Sequence, residues 1–214
     1  MKELSDMPLK DFVHEISTKS PTPGCGSVAA LCGALGAALT AMVANITKED
    51  KRYSLHGNAL SEVLTEISQV QNELATSMQR DAESFSIVIN AFSLPGYPED
   101  ARIRKKEAIQ QALKSSTMIP FEIMTLCSKG LRIIQKTIGK TTPKTLAELG
   151  SAAILLNGAI KSVSLAVIVN LQSIEDQVFV QNYKSKSQEI LAIGENLYRE
   201  IHSHCIKEIL SQNN

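Results

Sequence analysis

Tryptophan is absent from the 214 residues, and phenylalanine and tyrosine number only five and four. A chain this poor in aromatic rings does not offer the stacked platform on which single-stranded bases are held. A surplus of one charge is missing as well, because 22 Lys+Arg balance 22 Asp+Glu. Nucleic-acid binders need a basic excess to neutralise phosphates, so that class of partner is excluded. Cysteine occurs four times, at Cys25, Cys32, Cys127 and Cys205, with no C-x-x-C pair among them. Free thiols in a reducing cytosol follow, and with them a cytoplasmic location. The opening MKELSDMPLKDFVHE lacks the apolar core of a signal peptide. The four histidines show no metal-ligand spacing: His202 and His204 are two apart and point away from each other on a helix. No metal site is expected. Neither a phosphate-binding P-loop nor a Ser/His/Asp order is present.

Charge is also missing locally, from Gly24 to Thr47. That run is long enough to span a bilayer. Much of it is Ala and Gly, Thr40 and Asn45 interrupt it, and the mean hydropathy of the chain is -0.02. A buried helix is the expectation, with no membrane partner.

What is present is helical periodicity. The chain is 43% apolar and 21% charged, enough for one domain, 1–214, with a sizeable core. Helices are expected near 8–18, 27–46, 57–93, 99–138, 145–173 and 175–211. Pro120 should kink or break the fourth of these. The loops are 20–26, 94–98 and 139–144. Strand-like alternation is absent, and the fold class is all-α, a single-domain bundle of long helices.

The long 57–93 segment carries a seam at alternating four- and three-residue steps: Leu60, Leu64, Ile67, Gln71, Leu74, Met78, Asp81, Phe85, Val88 and Phe92. Such a seam faces a partner helix. Asp81 stands on it where a hydrophobe belongs. A buried carboxylate raises its pKa or finds partners. One reading is structural, with Asp81 hydrogen-bonded to a neighbouring helix or paired with Arg80 or Lys51. The other is a general acid or base in a cleft between helices. The 145–173 segment has a similar stripe, Leu149, Ala153, Leu156, Ile160, Val163, Val167, Asn170 and Ile174. Asn170 is its polar member, either fixing helix register or lining a site. The 27–46 helix is apolar or small all round, which places it at the bundle centre.

The loop PTPGCGS (21–27) precedes that helix. Pro21 and Pro23 stiffen it, Gly24 and Gly26 allow positive φ and close approach, and Ser27 suits the N-cap. The helix start exposes backbone N–H groups to an anionic or carbonyl-bearing ligand, or is an ordinary capped turn. The run RIRKK (102–106) is a solvated face or a landing place for a polyanionic tail.

Three stretches, PTPGCGSVAALCGALGAALTAMVANIT (21–47), DAESFSIVINAFSLP (81–95) and VNLQSIEDQVF (169–179), together resemble the cyclodeaminase/cyclohydrolase family of folate one-carbon metabolism. Their order and spacing fit along essentially the whole chain. The resemblance implies an all-α homodimer binding a tetrahydrofolate derivative between helices. It implies closure of 5-formiminotetrahydrofolate to 5,10-methenyltetrahydrofolate with loss of ammonia, with two alternatives: hydrolysis of the methenyl bridge to 10-formyltetrahydrofolate, or a diverged folate-binding relative that keeps the cleft and has lost catalysis. Neither reaction needs a cofactor beyond the folate substrate. Asp81 falls on the family's D-A-x-x-F/Y motif and becomes the catalytic candidate. Pro23, Gly24, Gly26 and Ser27 are expected to meet the folate, with Asn45, Tyr53, Asn170 and Asp176 lining the cleft. Lys51 and Arg52 are expected to meet the glutamyl carboxylates. The chain departs from the family pattern at Cys25, Gly96, Thr142, Glu148, Ala166 and Ile168.

Overall fold

The computed structural model describes residues 3–211. Its long elements are α1 (Leu9–Ile16), α2 (Cys25–Glu49), α3 (Gly57–Phe92), α4 (Glu99–Thr137), α5 (Leu146–Gln172) and α6 (Gln177–Ser211). Short 3-10 turns stand at Leu4–Asp6, Lys51–His56 and Pro143–Thr145, and the described residues contain no strand. Helices α2, α3, α4 and α5 form a closed ring in which each packs on the next, α5 returning to α2. Helix α6 lies on the outer side of α4 and α5. The all-α expectation holds.

Small residues set how closely this ring closes. A Cβ on Gly33 would stand 2.7 Å from Cys127 Sγ, and one on Gly36 would stand 3.0 Å from the Ala152 carbonyl oxygen of α5. Ala29, Ala30, Ala37 and Ala44 are buried beside them. With so little side chain between backbones, α2 sits deep against α3 and α5.

The α5 stripe is buried as expected, from Leu149 through Val167 and Ile174, with Asn170 half-buried at its end. The α3 seam is buried at Leu60, Ile67, Leu74 and Met78, half-buried at Leu64 and Gln71, and buried again only at Val88; Phe85 and Phe92 are 38% and 53% exposed. The reason is length. Helices α3 and α4 have 36 and 39 residues against 25 and 27 for α2 and α5, so their tips overhang the ring as an arm. Helix α2 is not central either. Leu35, Met42 and Ile46 are exposed on its outer side. Helix α4 runs unbroken through Pro120, whose missing N–H the helix tolerates. The Cys25–Glu49 and Pro143–Gln172 segments are long and apolar enough to cross a membrane, with 56% and 50% of their most apolar windows buried. Helical hairpins of a water-exposed bundle meet the same criterion when one face is in the core.

Candidate active site

A cavity of about 350 Å³ opens where the ring meets the arm. All four ring helices wall it: the start of α2 (Gly24, Cys25, Gly26), α3 (Asp81, Phe85), α4 (Ser116, Pro120) and the end of α5 (Ala166, Asn170). Its size falls in the range of small-molecule sites, and its walls are mostly apolar with a few polar groups, as such sites require.

Helix α2 begins at Cys25, with Gly24 at the N-cap and no side chain capping it. Ser27, expected as the cap, lies inside the first turn. Its Oγ is 2.8 Å from the Met78 carbonyl oxygen and 3.2 Å from Asp81 Oδ2. The short segment before the helix is shaped by a cis Thr22–Pro23 bond, and Pro23 is buried. Neither Gly24 nor Gly26 takes positive φ; among the described residues only Gly139 does. Gly26 serves close approach instead. A Cβ there would overlap the Asp81 carboxylate, 2.1 Å from Oδ1 and 2.5 Å from Oδ2.

The carboxylate is therefore laid across the first turn of α2, where its Oδ2 accepts a hydrogen bond from the Ser27 hydroxyl. Burial raises its pKa above the usual Asp value, and hydrogen bonding from Ser27 opposes that shift only in part. No cation pairs with it among the described residues. Arg80 turns away to a bidentate pair with Glu122, Nη2 to Oε2 at 2.7 Å. Lys51 lies past the far end of α2. Of the two structural readings open to Asp81, the ion pair is excluded; the bond to a neighbouring helix exists, and a cavity stands beside it. Cys25 shares the rim. Burial, then the nearby Asp81 charge, raise its thiol pKa.

Asn170 enters the same cavity from α5. Its Nδ2 donates to Ser116 on α4, to the carbonyl oxygen at 3.1 Å and to Oγ at 3.3 Å. That ties α5 to α4 and leaves the amide oxygen available to a ligand. Ser116 carries no signal of its own in the sequence, where it is one of two adjacent serines in the polar helical stretch KSST (114–117).

The other expected site residues are elsewhere. Asp176 caps α6, its Oδ1 accepting from the N–H groups of Val178 and Phe179, and its Oδ2 pairs with Lys114 at 2.7 Å. These bonds hold its pKa below the usual value. Asn45 is exposed on α2, about 28 Å along the axis from Gly26 at the ~1.5 Å rise of a helix. Lys51, Arg52 and Tyr53 are on the 3-10 turn beyond it; Arg52 pairs with Asp50, and Tyr53 meets the His56 ring. Within one chain these four do not line the cavity. Among the family departures, Cys25 and Ala166 are at the cavity. Gly96 is exposed in the arm and Ile168 is 48% exposed on α5. Thr142 and Glu148, at the far end, each leave one buried side-chain oxygen without a hydrogen-bond partner.

A cavity among four helices with one carboxylate that no cation pairs among the described residues is a candidate small-molecule site. Comparison with known proteins places it. The formiminotransferase-cyclodeaminase family model matches residues 8–189, and the chain belongs to that family. It is 27% identical to the methenyltetrahydrofolate cyclohydrolase of Methylorubrum extorquens, covering 91% of this chain and 96% of that one. It is 26% identical to the rat formimidoyltransferase-cyclodeaminase over 89% of this chain, but spans only 35% of that longer protein. The crystal structure of formiminotetrahydrofolate cyclodeaminase from Thermotoga maritima shares the fold, with a TM-score of 0.87 at 23% identity over 96% of this chain and 98% of that one.

Proposed function

We propose that this protein is a folate one-carbon enzyme, a 5-formiminotetrahydrofolate cyclodeaminase, with Asp81 as its acid–base group. The reading is carried by one observation: a carboxylate with raised pKa, unpaired by any cation, faces a cavity in a chain of this family. N10 attacks the carbon of the protonated formimino group on N5, and a tetrahedral carbon bearing an amino group forms between N5 and N10. Asp81 takes the N10 proton and returns it to the departing nitrogen. The C–N bond to that nitrogen breaks, ammonia leaves, and the 5,10-methenyl bridge remains. A raised pKa suits a group that must hold the proton for part of the cycle. The N–H groups at the start of α2 and the Asn170 amide would hold pterin carbonyl and ring nitrogens. The proposed reaction uses no metal or cofactor beyond the folate, and the protein is proposed to act as a cytoplasmic homodimer.

Hydrolysis of the methenyl bridge is the second reading. The Methylorubrum protein, matched nearly end to end, carries the name of that activity. Here Asp81 would take a proton from water as it attacks the bridging carbon and deliver it to N5; the C–N5 bond breaks, the hydroxyl on that carbon gives its proton to solvent, and 10-formyltetrahydrofolate is released. Absorbance in the methenyl-folate band separates the two. Growth of the band on 5-formiminotetrahydrofolate supports the first. Loss of added methenyl-folate faster than the spontaneous rate supports the second. Either rate should vanish in Asp81→Asn with the fold intact; full activity in that variant removes Asp81 from the mechanism.

A further inference from the structure

Helix α6 packs on the outer side of α4 and leaves a groove of about 390 Å³ between them. Ser116 and Pro120 of α4 turn to the cavity, whereas Phe121, Thr125, Ser128 and Arg132 line the groove. At ~100° of turn per residue the two sets lie on nearly opposite sides of the helix. Phe121, with Ile190 and Ile193 of α6, makes the groove floor apolar. Contacts between the two helices stand at its ends. The Phe121 ring meets Tyr183 edge-on at 5.0 Å, and Gln135 Nε2 donates to Glu200 Oε2 at 2.7 Å.

Lys129 and Arg132, a turn apart on α4, rim the groove with Lys186 of α6. None of these side chains has an ion pair or hydrogen bond among the described residues. By contrast Arg102, Lys106, Lys114 and Lys136 on the same α4 each hold a carboxylate. Glu189 is the one acid lining the groove, which leaves a surplus of two positive charges. The floor supplies a second observation. Thr117, Thr125 and Thr137 each return their hydroxyl to a carbonyl one turn back on α4. Ser128 does not: it is 6% exposed, and its Oγ lines the groove without a hydrogen-bond partner. Buried hydroxyls are partnered as a rule, so an idle donor beside unmatched cations marks a place for an acceptor.

We infer that the α4–α6 groove is a second ligand site, for a small phosphorylated organic molecule: Lys129, Arg132, Lys186 and the Ser128 hydroxyl take the phosphate, and the floor at Phe121, Ile190 and Ile193 takes the apolar body. A phosphate monoester carries about −1.5 to −2 charges at neutral pH, which matches the surplus. The planar guanidinium of Arg132 suits two phosphate oxygens at once. The volume falls in the small-molecule range, and the helix contacts at both ends suit a compact ligand over an extended acidic segment. The site is separate from the cavity and does not depend on which reaction the cavity performs.

Calorimetric titration of the full chain with ADP tests this, with pyrophosphate as the probe that carries charge and no apolar body. Wild type should bind ADP saturably, and more tightly than pyrophosphate. Lys129→Ala/Lys186→Ala and Arg132→Ala should each weaken ADP binding ~10-fold or more, and Ser128→Ala roughly tenfold, the worth of a hydrogen bond to a charged group. The cations are exposed and alanine is the stronger helix former at Ser128, so circular dichroism should be unchanged in all of them. Arg104→Ala/Lys105→Ala removes exposed charge from the arm instead and should leave binding as it is. Equal loss in the arm variant reduces the effect to general attraction of anions to a basic surface and overturns the site. So does a wild-type isotherm in the groove variants, which places ADP elsewhere, or a wild type with no saturable binding. Pyrophosphate binding as tightly as ADP overturns the organic ligand, since the apolar floor then holds nothing. None of these outcomes bears on the folate assays, so this site and the proposed reaction stand or fall separately.

Discussion

The Asp81 carboxylate occupies the space that a Cβ on Gly26 would fill, 2.1 Å from its Oδ1. The acid is thus positioned by the absence of a side chain on the facing helix. Gly26→Ala should leave the bundle folded, because the carboxylate is the flexible end of a side chain and can swing away. It then loses its place against the first turn of α2. A displacement of about 1 Å can cost ~100-fold in rate, so kcat should fall to that order while the circular dichroism spectrum is unchanged. Unchanged kcat would show that the acid does not work from this position.

Asp81 should also make stability depend on pH. Its native pKa is raised by burial, so between the unfolded value of ~3.9 and the native value the folded state binds more protons. Stability then falls as pH rises through that window. Asp81→Asn removes the effect. Relative to wild type the variant should gain stability from pH 4 upward, with the gain levelling off once the native carboxyl has ionised. Urea melts of both proteins across that range measure it. A difference independent of pH would contradict the raised value.

The tight α2–α5 contact predicts a different response. A Cβ on Gly36 meets backbone, the Ala152 carbonyl oxygen at 3.0 Å, as well as Leu156 Cγ at 2.9 Å. Backbone cannot swing aside. Gly36→Ala should therefore destabilise by ~1–3 kcal/mol, the usual cost of overpacking, seen as a lower denaturation midpoint.

Periodicity made the bundle legible before any coordinates. The α5 stripe from Leu149 to Val167 and the polar interruptions at Asp81 and Asn170 were all visible as spacing. Phe85 and Phe92 lie on the seam yet are exposed, because a seam records which face a helix turns inward, not how far its neighbours extend beside it. The cap at Ser27 was misplaced because Gly24 needs no side chain to start the helix. The resemblance sets Asn45 and Tyr53 in the cleft and Lys51 and Arg52 at the glutamyl carboxylates, and a linear motif carries no record that the two ends of a 25-residue helix lie far apart. Ser116 left no mark, since its place depends on Asn170 reaching it from another helix.

The cavity draws its walls from each member of the four-helix ring. A molecule held there touches segments that lie up to ~145 residues apart along the chain, from the start of α2 to the end of α5, and none of those walls survives alone. Occupancy would therefore slow amide hydrogen exchange throughout the ring instead of in one patch, because the openings that release the ligand are those in which the helices part company.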